Sequence, residues 1–405
     1  METDIKKICV MGLGYIGLPT SALLANRGFQ VHGVDINSVA VDTINQGKIH
    51  IVEPGLGTFV KAAVESGHLV ASLTPTEADV FVLAVPTPFH NDGGETPRPN
   101  IDYVLAATQA IVPFVKEGNI VILESTSPVG TTDEVARVLR EGGIDTDKVH
   151  VAHCPERVLP GHIMRELIEN DRVVGGVTPA ATKITAAFYR TFVEGEVLET
   201  DARTAEMAKL TENSCRDVQI AFANELSLIC DKMGIDVWEL IRLANRHPRI
   251  NILTPGVGVG GHCIAVDPWF VVDSDPENSQ LIRKGREVNL RKTEWVIEKI
   301  KETATTLGKE KPVVALMGLA FKPDIDDLRE SPAVCVAEAL MKESLLDLLV
   351  VEPNIEEHKE FKLSSMEEAC EAADLIVFLV KHKEFPLLKD LNGAVLDFCG
   401  VFGSR

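Results

Sequence analysis

Apolar residues in the first part of the chain gather in short runs with few polar residues, at 8–11, 30–34, 80–85, 120–123 and 149–152. Runs of that length with few polar interruptions read as strands buried on both faces, and stretches with helical spacing separate them. This alternation predicts an α/β fold built on a doubly wound parallel sheet. From residue 201 to about 308 the pattern becomes helical. A segment 204–233 stops at Gly234, which suits a C-cap, a shorter one covers 236–245, and a long one covers 279–307. Strand-like runs then return and repeat the beginning: 314–320 mirrors 9–14, 349–354 mirrors 31–37, and 373–380 mirrors 78–85. The expected organisation is therefore two Rossmann-like parallel-sheet domains, 1–200 and 309–405, flanking a central all-helical dimerisation domain, 201–308. The second sheet lacks the full glycine pattern of the first. A polar loop, 90–100, with two glycines just before Glu95, interrupts the first sheet near its carboxyl edge.

At 405 residues the chain exceeds what one core organises, in line with that division. A net charge of −20 disfavours nucleic acid and anionic membrane surfaces as partners. No apolar run approaches a bilayer span, and residues 1–7 lead into the first strand without a signal-peptide core. Eight scattered cysteines with no Cys-x-x-Cys pair give neither a disulfide framework nor a metal site, so no metal is expected and the reducing cytoplasm is the expected location. Seven of the eight read as small buried hydrophobes. An acidic protein that takes an anionic ligand must gather its Arg and Lys at the site, and the motifs below do so.

Gly12-Leu13-Gly14-Tyr15-Ile16-Gly17 follows a strand and opens a helix, with Asp35 closing the next strand. Glycines there allow a tight turn and bring backbone N–H groups against a pyrophosphate at the helix N-terminus. Asp35 would accept hydrogen bonds from the adenosine ribose and repel a 2′-phosphate, so the expected cofactor is NAD rather than NADP. Thr87 and Thr126 follow strands at the same edge. Their hydroxyls serve either that cofactor or the first turn of the next helix, and local sequence does not separate the two.

Cys263 stands apart from the other thiols. Four glycines, at 256, 258, 260 and 261, precede it closely, and Asp267 lies four residues after it. Beside a nicotinamide cofactor, a thiolate can trap an aldehyde as a thiohemiacetal, and loss of a second hydride gives a thioester. If a helix starts at Cys263, its N-terminus favours the thiolate and Asp267 points the same way, to activate water or simply to brace the loop. Lys209, Asn213 and Arg216 share one helix face at i, i+4 and i+7. A solvated stripe is the usual explanation. Few apolar residues lie opposite it near 211–214, so the helix is expected to line a polar cavity, where a lysine and a carboxamide supply a proton shuttle and an oxyanion donor. Glu156-Arg157-Val158, His247-Pro248-Arg249, Phe321-Lys322-Pro323 and Leu328-Arg329 form compact corners whose basic groups suit pyrophosphate.

The stretches GLGYIGLP, VPTP, ESTSPVG, CPERVLPG, AKLTENS, GGHCIAVDP and GLAFKPDIDDLRESP span essentially the whole chain. Together they resemble the nucleotide-sugar 6-dehydrogenase family, the UDP-glucose and UDP-N-acetylhexosamine dehydrogenases. That resemblance implies a homodimer or homotetramer built through the helical centre, and oxidation of a UDP-sugar at C6 twice by NAD through a covalent cysteine intermediate. Carried over by motif, Cys263 is the nucleophile, Lys209 the acid–base or oxyanion residue, and Asn213 an oxyanion support. Asp267 then helps the water or the lysine, and Glu156 assists proton transfer. Arg329 is expected near NAD. Arg157, Val158, Arg216, His247, Arg249, Gly261, Phe321 and Lys322 are expected around the sugar nucleotide, Arg249 reaching a neighbouring subunit's substrate. Ile264, Ala265 and Val266 stand where the UDP-glucose branch carries Phe-Pro-Lys, and His247-Pro248-Arg249 is similar to the branch acting on UDP-N-acetyl-D-mannosamine. The implied reaction is formation of the corresponding uronic acid. The alternatives are the same reaction on UDP-N-acetylglucosamine or UDP-glucose, or, in a different class, an NAD-sensing scaffold without chemistry.

Overall fold

The computed structural model describes residues 5–90, 96–261, 263–342, 346–388 and 391–403. Glu95 and its two glycines, His262 and the last two residues lie outside the described residues. The chain divides into two compact units, residues 1–211 with 269–274, and residues 212–268 with 275–405.

The first unit opens with β1 (Lys7–Met11), α1 (Gly17–Asn26), β2 (Gln30–Val34), α2 (Ser38–Asn45), α3 (Leu56–Glu65) and β3 (Leu69–Ser72). It continues with β4 (Val80–Leu83), α4 (Asp102–Ile111), β5 (Ile120–Leu123), α5 (Thr131–Glu141) and β6 (His150–His153). Then come α6 (Ile163–Glu169), β7 (Arg172–Gly176), α7 (Pro179–Tyr189) and β8 (Val197–Asp201). These strands make one eight-stranded sheet in the order β3-β2-β1-β4-β5-β6-β7-β8. It is parallel except between β6 and β7, which run antiparallel, so the expectation of a parallel sheet needs one correction. The connection through α6 is as long as the one joining the parallel pair β1 and β2, so its length does not set the direction; the chain after α6 re-enters the sheet from the carboxyl end of β6.

All four residues of β4 and of β5 are buried, as their unbroken apolar runs required. In β1 the faces alternate: Ile8 and Val10 enter one core, Cys9 and Met11 the other. Each such side chain contributes about 1.5–3 kcal/mol by leaving water, and the two cores fix the register.

The helices are α8 (Ala202–Met233), α9 (Val237–Ala244), α10 (Asp267–Ser274) and α11 (Gln280–Thr306). Asp236 caps α9 by accepting from the Trp238 and Glu239 N–H groups. No described helix is long and apolar enough to cross a membrane. The second unit ends in β9 (Val313–Met317), α12 (Pro332–Met341), β10 (Asp347–Val351), α13 (Met366–Ala372), β11 (Leu375–Phe378) and β12 (Ala394–Asp397). Its sheet is four-stranded and parallel, in the order β10-β9-β11-β12. The repeat seen in the sequence is a structural repeat. Met11 faces Val34 and Leu83 across β1, and Met317 faces Val351 and Phe378 across β9.

Beyond the carboxyl ends of β5 and β6 lies a buried charge cluster. Arg172, 1% exposed, donates to Glu156 at 2.6 Å and to the Leu167 carbonyl at 2.9 Å. Arg172 bonds Glu156 and not Glu124, and its Nε is buried without a partner among the described residues. Glu156 holds the ion pair, and burial, helped by the Glu156 charge, pushes Glu124 up to about 8. The folded chain therefore keeps a proton on Glu124 that the unfolded chain releases near 4.5. That contribution is present at acid pH and is lost as pH climbs toward about 8. Replacing Glu124 by Gln should remove this slope. Melting temperatures of wild type and Glu124→Gln across that range should diverge, the wild type losing more stability on the alkaline side.

Candidate active site

At the carboxyl edge of the first sheet the chain turns sharply after Met11. Gly12 adopts φ 91° and its N–H donates to the Val34 carbonyl at 2.7 Å. A Cβ on Gly17 would stand 1.8 Å from the Gly12 carbonyl oxygen, so only glycine lets α1 start this close to the strand. Gly14 is different, because a Cβ there would meet nothing within 4 Å. Packing does not require that glycine, and the space beside it is open to an approaching ligand. The α1 N-terminus, with Ile16 at the cap position and Tyr15 before it, has no side-chain cap and no acid in its first turn, which suits an anion there, although the Leu18 N–H already donates to the Gly14 carbonyl at 3.1 Å and Pro19 has no N–H. Asp35 spends Oδ2 on the Leu13 N–H at 2.9 Å and Oδ1 on the Asn37 N–H at 2.9 Å, while staying partly exposed for a ribose. Ile36 beside it is 90% exposed, an apolar platform that periodicity did not single out.

Thr87 and Thr126 do not cap helices. The Thr87 hydroxyl donates to the Thr126 carbonyl at 2.7 Å, tying the loops after β4 and β5 together, and the cap position of α5 belongs to Gly130. That N-terminus is capped from α8. Glu206 accepts from the Gly130 N–H at 2.6 Å, the Thr132 N–H at 2.7 Å and the Thr132 hydroxyl at 2.6 Å. Glu206 lies one turn before Lys209, which is itself buried and pairs with no carboxylate among the described residues. Burying an ammonium without a counterion is costly, and charges so placed occur preferentially at functional sites. Glu156 sits in the ion pair with Arg172, and its second oxygen accepts the Arg157 N–H at 2.7 Å. Arg157 also donates to the Asp171 carbonyl at 3.1 Å, and Val158 packs at the edge of the core.

In the second unit Cys263 is exposed and heads a turn, its carbonyl accepting from the Val266 N–H at 3.0 Å and the Asp267 N–H at 2.8 Å. The helix starts at Asp267, so the condition of a helix starting at Cys263 is not met. Cys215 and Cys335 are exposed too, so five cysteines, not seven, are buried. Asp267 is buried, and the Asn213 amide donates to its Oδ2 at 2.5 Å. Arg216 is exposed although it shares the helix face of Lys209 and Asn213, so the three do not form one polar lining.

Side chains from two long helices fasten the glycine loop. Asn224 accepts the Gly256 N–H at 2.9 Å, and Thr293 donates to the Val257 carbonyl at 2.8 Å. The Asn224 amide donates to Asn289 at 2.9 Å, and Asn289 to Asp217 at 2.8 Å. Asp217 in turn pairs with Arg286 at 2.6 Å. The Gly261 N–H donates to the Arg329 carbonyl at 3.2 Å, and a Cβ on Gly261 would stand 2.9 Å from the Phe321 ring. Phe321, half-buried Lys322 and Arg329 belong to one loop after β9, where Asp324 and Glu330 hold positive φ, 60° and 51°. Such backbone costs about 1–3 kcal/mol per residue and clusters at ligand sites. Arg329 forks onto Asp327 at 2.9 and 2.6 Å. The His247–Arg249 corner is exposed, its loop closed where Asn245 clamps Ile252.

Sequence reasoning missed Glu206, Asn224 and Asn289. Glu206 and Asn224 lie along the polar seam of α8 with Asn213 and Asp217, and a search for polar residues at helical spacing beyond 209–216 would have found them.

Three family patterns cover the chain in sequence. The NAD binding domain of the UDP-glucose/GDP-mannose dehydrogenase family matches residues 6–193, its central domain 203–291, and its UDP binding domain 315–401. The chain is 53% identical over 413 residues to a UDP-N-acetyl-D-mannosamine dehydrogenase of Campylobacter jejuni, covering 98% of this chain and 100% of that one. It is 52% identical to an NDP-N-acetyl-D-galactosaminuronic acid dehydrogenase of Ralstonia nicotianae, covering 100% and 98%. The structure of a UDP-N-acetyl-mannosamine dehydrogenase from Staphylococcus aureus superposes with a TM-score of 0.89 at 44% identity, covering 99% and 96%. The open cradle at Gly14, the acid at Asp35 and these likenesses agree: the chain is an NAD-dependent oxidoreductase and belongs to the UDP-glucose/GDP-mannose dehydrogenase family.

Proposed function

We propose that this protein oxidises C6 of UDP-N-acetyl-D-mannosamine to the uronic acid through a covalent intermediate on Cys263. The observation carrying the covalent step is the exposed thiol at the head of a turn whose buried acid, Asp267, is bonded to Asn213. NAD, when bound, supplies the hydride acceptor for each of the two oxidations. Lys209 takes the hydroxyl proton as the aldehyde forms. The Cys263 thiolate then adds to the carbonyl carbon, and Lys209 and Asn213 stabilise the resulting oxygen, giving a thiohemiacetal. Loss of the second hydride leaves a thioester. Water activated by Asp267 adds to it, the C–S bond breaks, and the carboxylic acid leaves with the thiolate restored.

The division at about 200 and 308 then separates cofactor, catalytic loop and uridine nucleotide. Arg157, Val158, Arg216, His247, Gly261, Phe321 and Lys322 serve the sugar nucleotide, and Arg329 serves NAD. Arg249 reaches the substrate of a second copy in a homodimer or homotetramer formed through the central helices. Supporting such association, Phe222, Ile229 and Met233 leave an exposed apolar stripe on α8 at i, i+7 and i+11. A cytoplasmic location fits eight cysteines without paired spacing. The galacto configuration is the second reading, favoured by the Ralstonia relative at nearly equal identity.

Purified protein given NAD and, separately, the UDP-activated N-acetyl-manno, -gluco and -galacto sugars and UDP-glucose should form two equivalents of NADH per sugar with the manno epimer. Turnover of only another epimer would remove the assignment. Cys263→Ala should lower acid formation by at least about a thousandfold, measured by product mass; unchanged acid would end the covalent mechanism. Lys322→Ala should raise KM for the UDP-sugar about tenfold while leaving KM for NAD within about twofold. Equal rises in both constants would contradict its placement.

A further inference from the structure

The two sheets carry an acid at the same topological place. Asp35 follows β2 and accepts the N–H of Leu13, the residue after Gly12; Glu352 follows β10 and accepts the N–H of Leu319, the residue after Gly318, at 2.7 Å. The turns match, with φ 91° at Gly12 and 97° at Gly318. The acids differ in what is left over. Asp35 stays partly exposed, whereas the Glu352 side chain is fully buried. Glu352 Oε2 also accepts from the Ala320 N–H at 2.9 Å and from His382 Nε2 at 3.0 Å. Its Oε1 accepts from the Asn354 N–H at 3.0 Å and the Asn354 amide at 2.9 Å. A carboxylate has about four acceptor sites, so none remains for a ribose.

His382 carries this lock outward. Its Nδ1 accepts the Asp324 N–H at 2.9 Å, with the Asn354 amide 3.1 Å away. A nitrogen that accepts a backbone N–H bears no proton, so the network assigns the neutral tautomer with hydrogen on Nε2, donated to Glu352. Asp324 holds φ 60°, and its Oδ1 accepts the Lys383 N–H at 2.9 Å. Asp324 is two residues after Lys322 and three after Phe321, whose ring backs the Gly260–Gly261 turn before Cys263.

We propose that His382 is a positioning residue for the uridine-nucleotide loop: bridged between Glu352 and the Asp324 N–H, it holds residues 319–324 in the conformation that presents Lys322 to the diphosphate. The acid that would read a ribose in a dinucleotide fold has become the anchor of a loop that reads phosphate. This rests on the reading of the C-terminal sheet as the seat of the UDP moiety.

The test is calorimetric titration of UDP and of NAD into the full-length protein and the variants His382→Asn and His382→Gln. Asn keeps an acceptor where Nδ1 stands and gives up the donor to Glu352; Gln keeps the donor and gives up the acceptor for the Asp324 N–H. The Asn variant should bind UDP within about threefold of wild type and the Gln variant at least about tenfold more weakly, the scale of one lost hydrogen bond. NAD affinity should stay within about twofold in both. A merely structural role predicts equal losses of melting temperature with UDP affinity untouched, and that result overturns the proposal, as does a loss of NAD affinity matching that of UDP. Where the Gln variant is not recovered folded, Asn354→Leu removes the amide shared by Glu352 and His382, and the same selective loss of UDP affinity is expected; unchanged affinity overturns it. Wild-type protein that takes no UDP removes the substrate reading together with this one, whereas equal binding by wild type and variants removes only the role of His382.

Discussion

A glycine-rich loop has few side chains with which to pack itself, here Val257 in the core of the second unit, so the position of Cys263 depends largely on the hydrogen bonds that fasten the loop before it. Those bonds come from elsewhere. Asn224 and Thr293 grip its beginning, the Arg329 carbonyl and the Phe321 ring its end, and Asn213 ties the helix beyond it through Asp267. The glycines let backbone approach backbone; polar side chains on α8 and α11 then decide where that backbone rests.

Fastening a loop from long helices has a cost. Asp217, Asn224, Ser227, Arg286, Asn289 and Lys292 are all buried, and an unpartnered polar group in such a place costs about 1–3 kcal/mol. Each residue of the set has a partner, although Asp217 Oδ2 and Arg286 Nε are buried without one among the described residues. Asn289 bridges Asn224 and Asp217, and Lys292 donates to Ser227 at 2.8 Å while lying 4.2 Å from the centre of the Trp295 ring. Desolvation still pushes Lys292 down to about 7 and raises Asp217 despite Arg286. Such a seam adds little net stability, but it admits one register between the two helices, because a slip would leave buried polar groups without partners.

The same economy appears in the sheets. Each begins with a strand, a glycine at positive φ and an acid at the end of the neighbouring strand. In the first the acid is left partly open, and α1 begins without a side-chain cap. In the second the acid is wholly consumed, and a strained loop carrying Lys322 replaces the glycine-rich turn. One architecture thus offers different groups at the same edge of its two sheets.

The apolar runs determined the strands, because a parallel strand buried on both faces admits few polar residues anywhere along it, and β4, β5 and β11 contain none. They also made the duplication legible, along with the glycine fingerprint and the unusual setting of Cys263. Chain order could not show that β7 reverses beside β6, since direction depends on where the connection returns. Nor could it show that Glu156 is committed to Arg172 sixteen residues away, that Arg216 faces water while Lys209 on the same face is buried, or that His382 answers Glu352. Periodicity records which face of an element is buried; which polar groups meet inside, and so which stay available for chemistry, is set by contacts between residues far apart in the chain, and only the folded structure decides that.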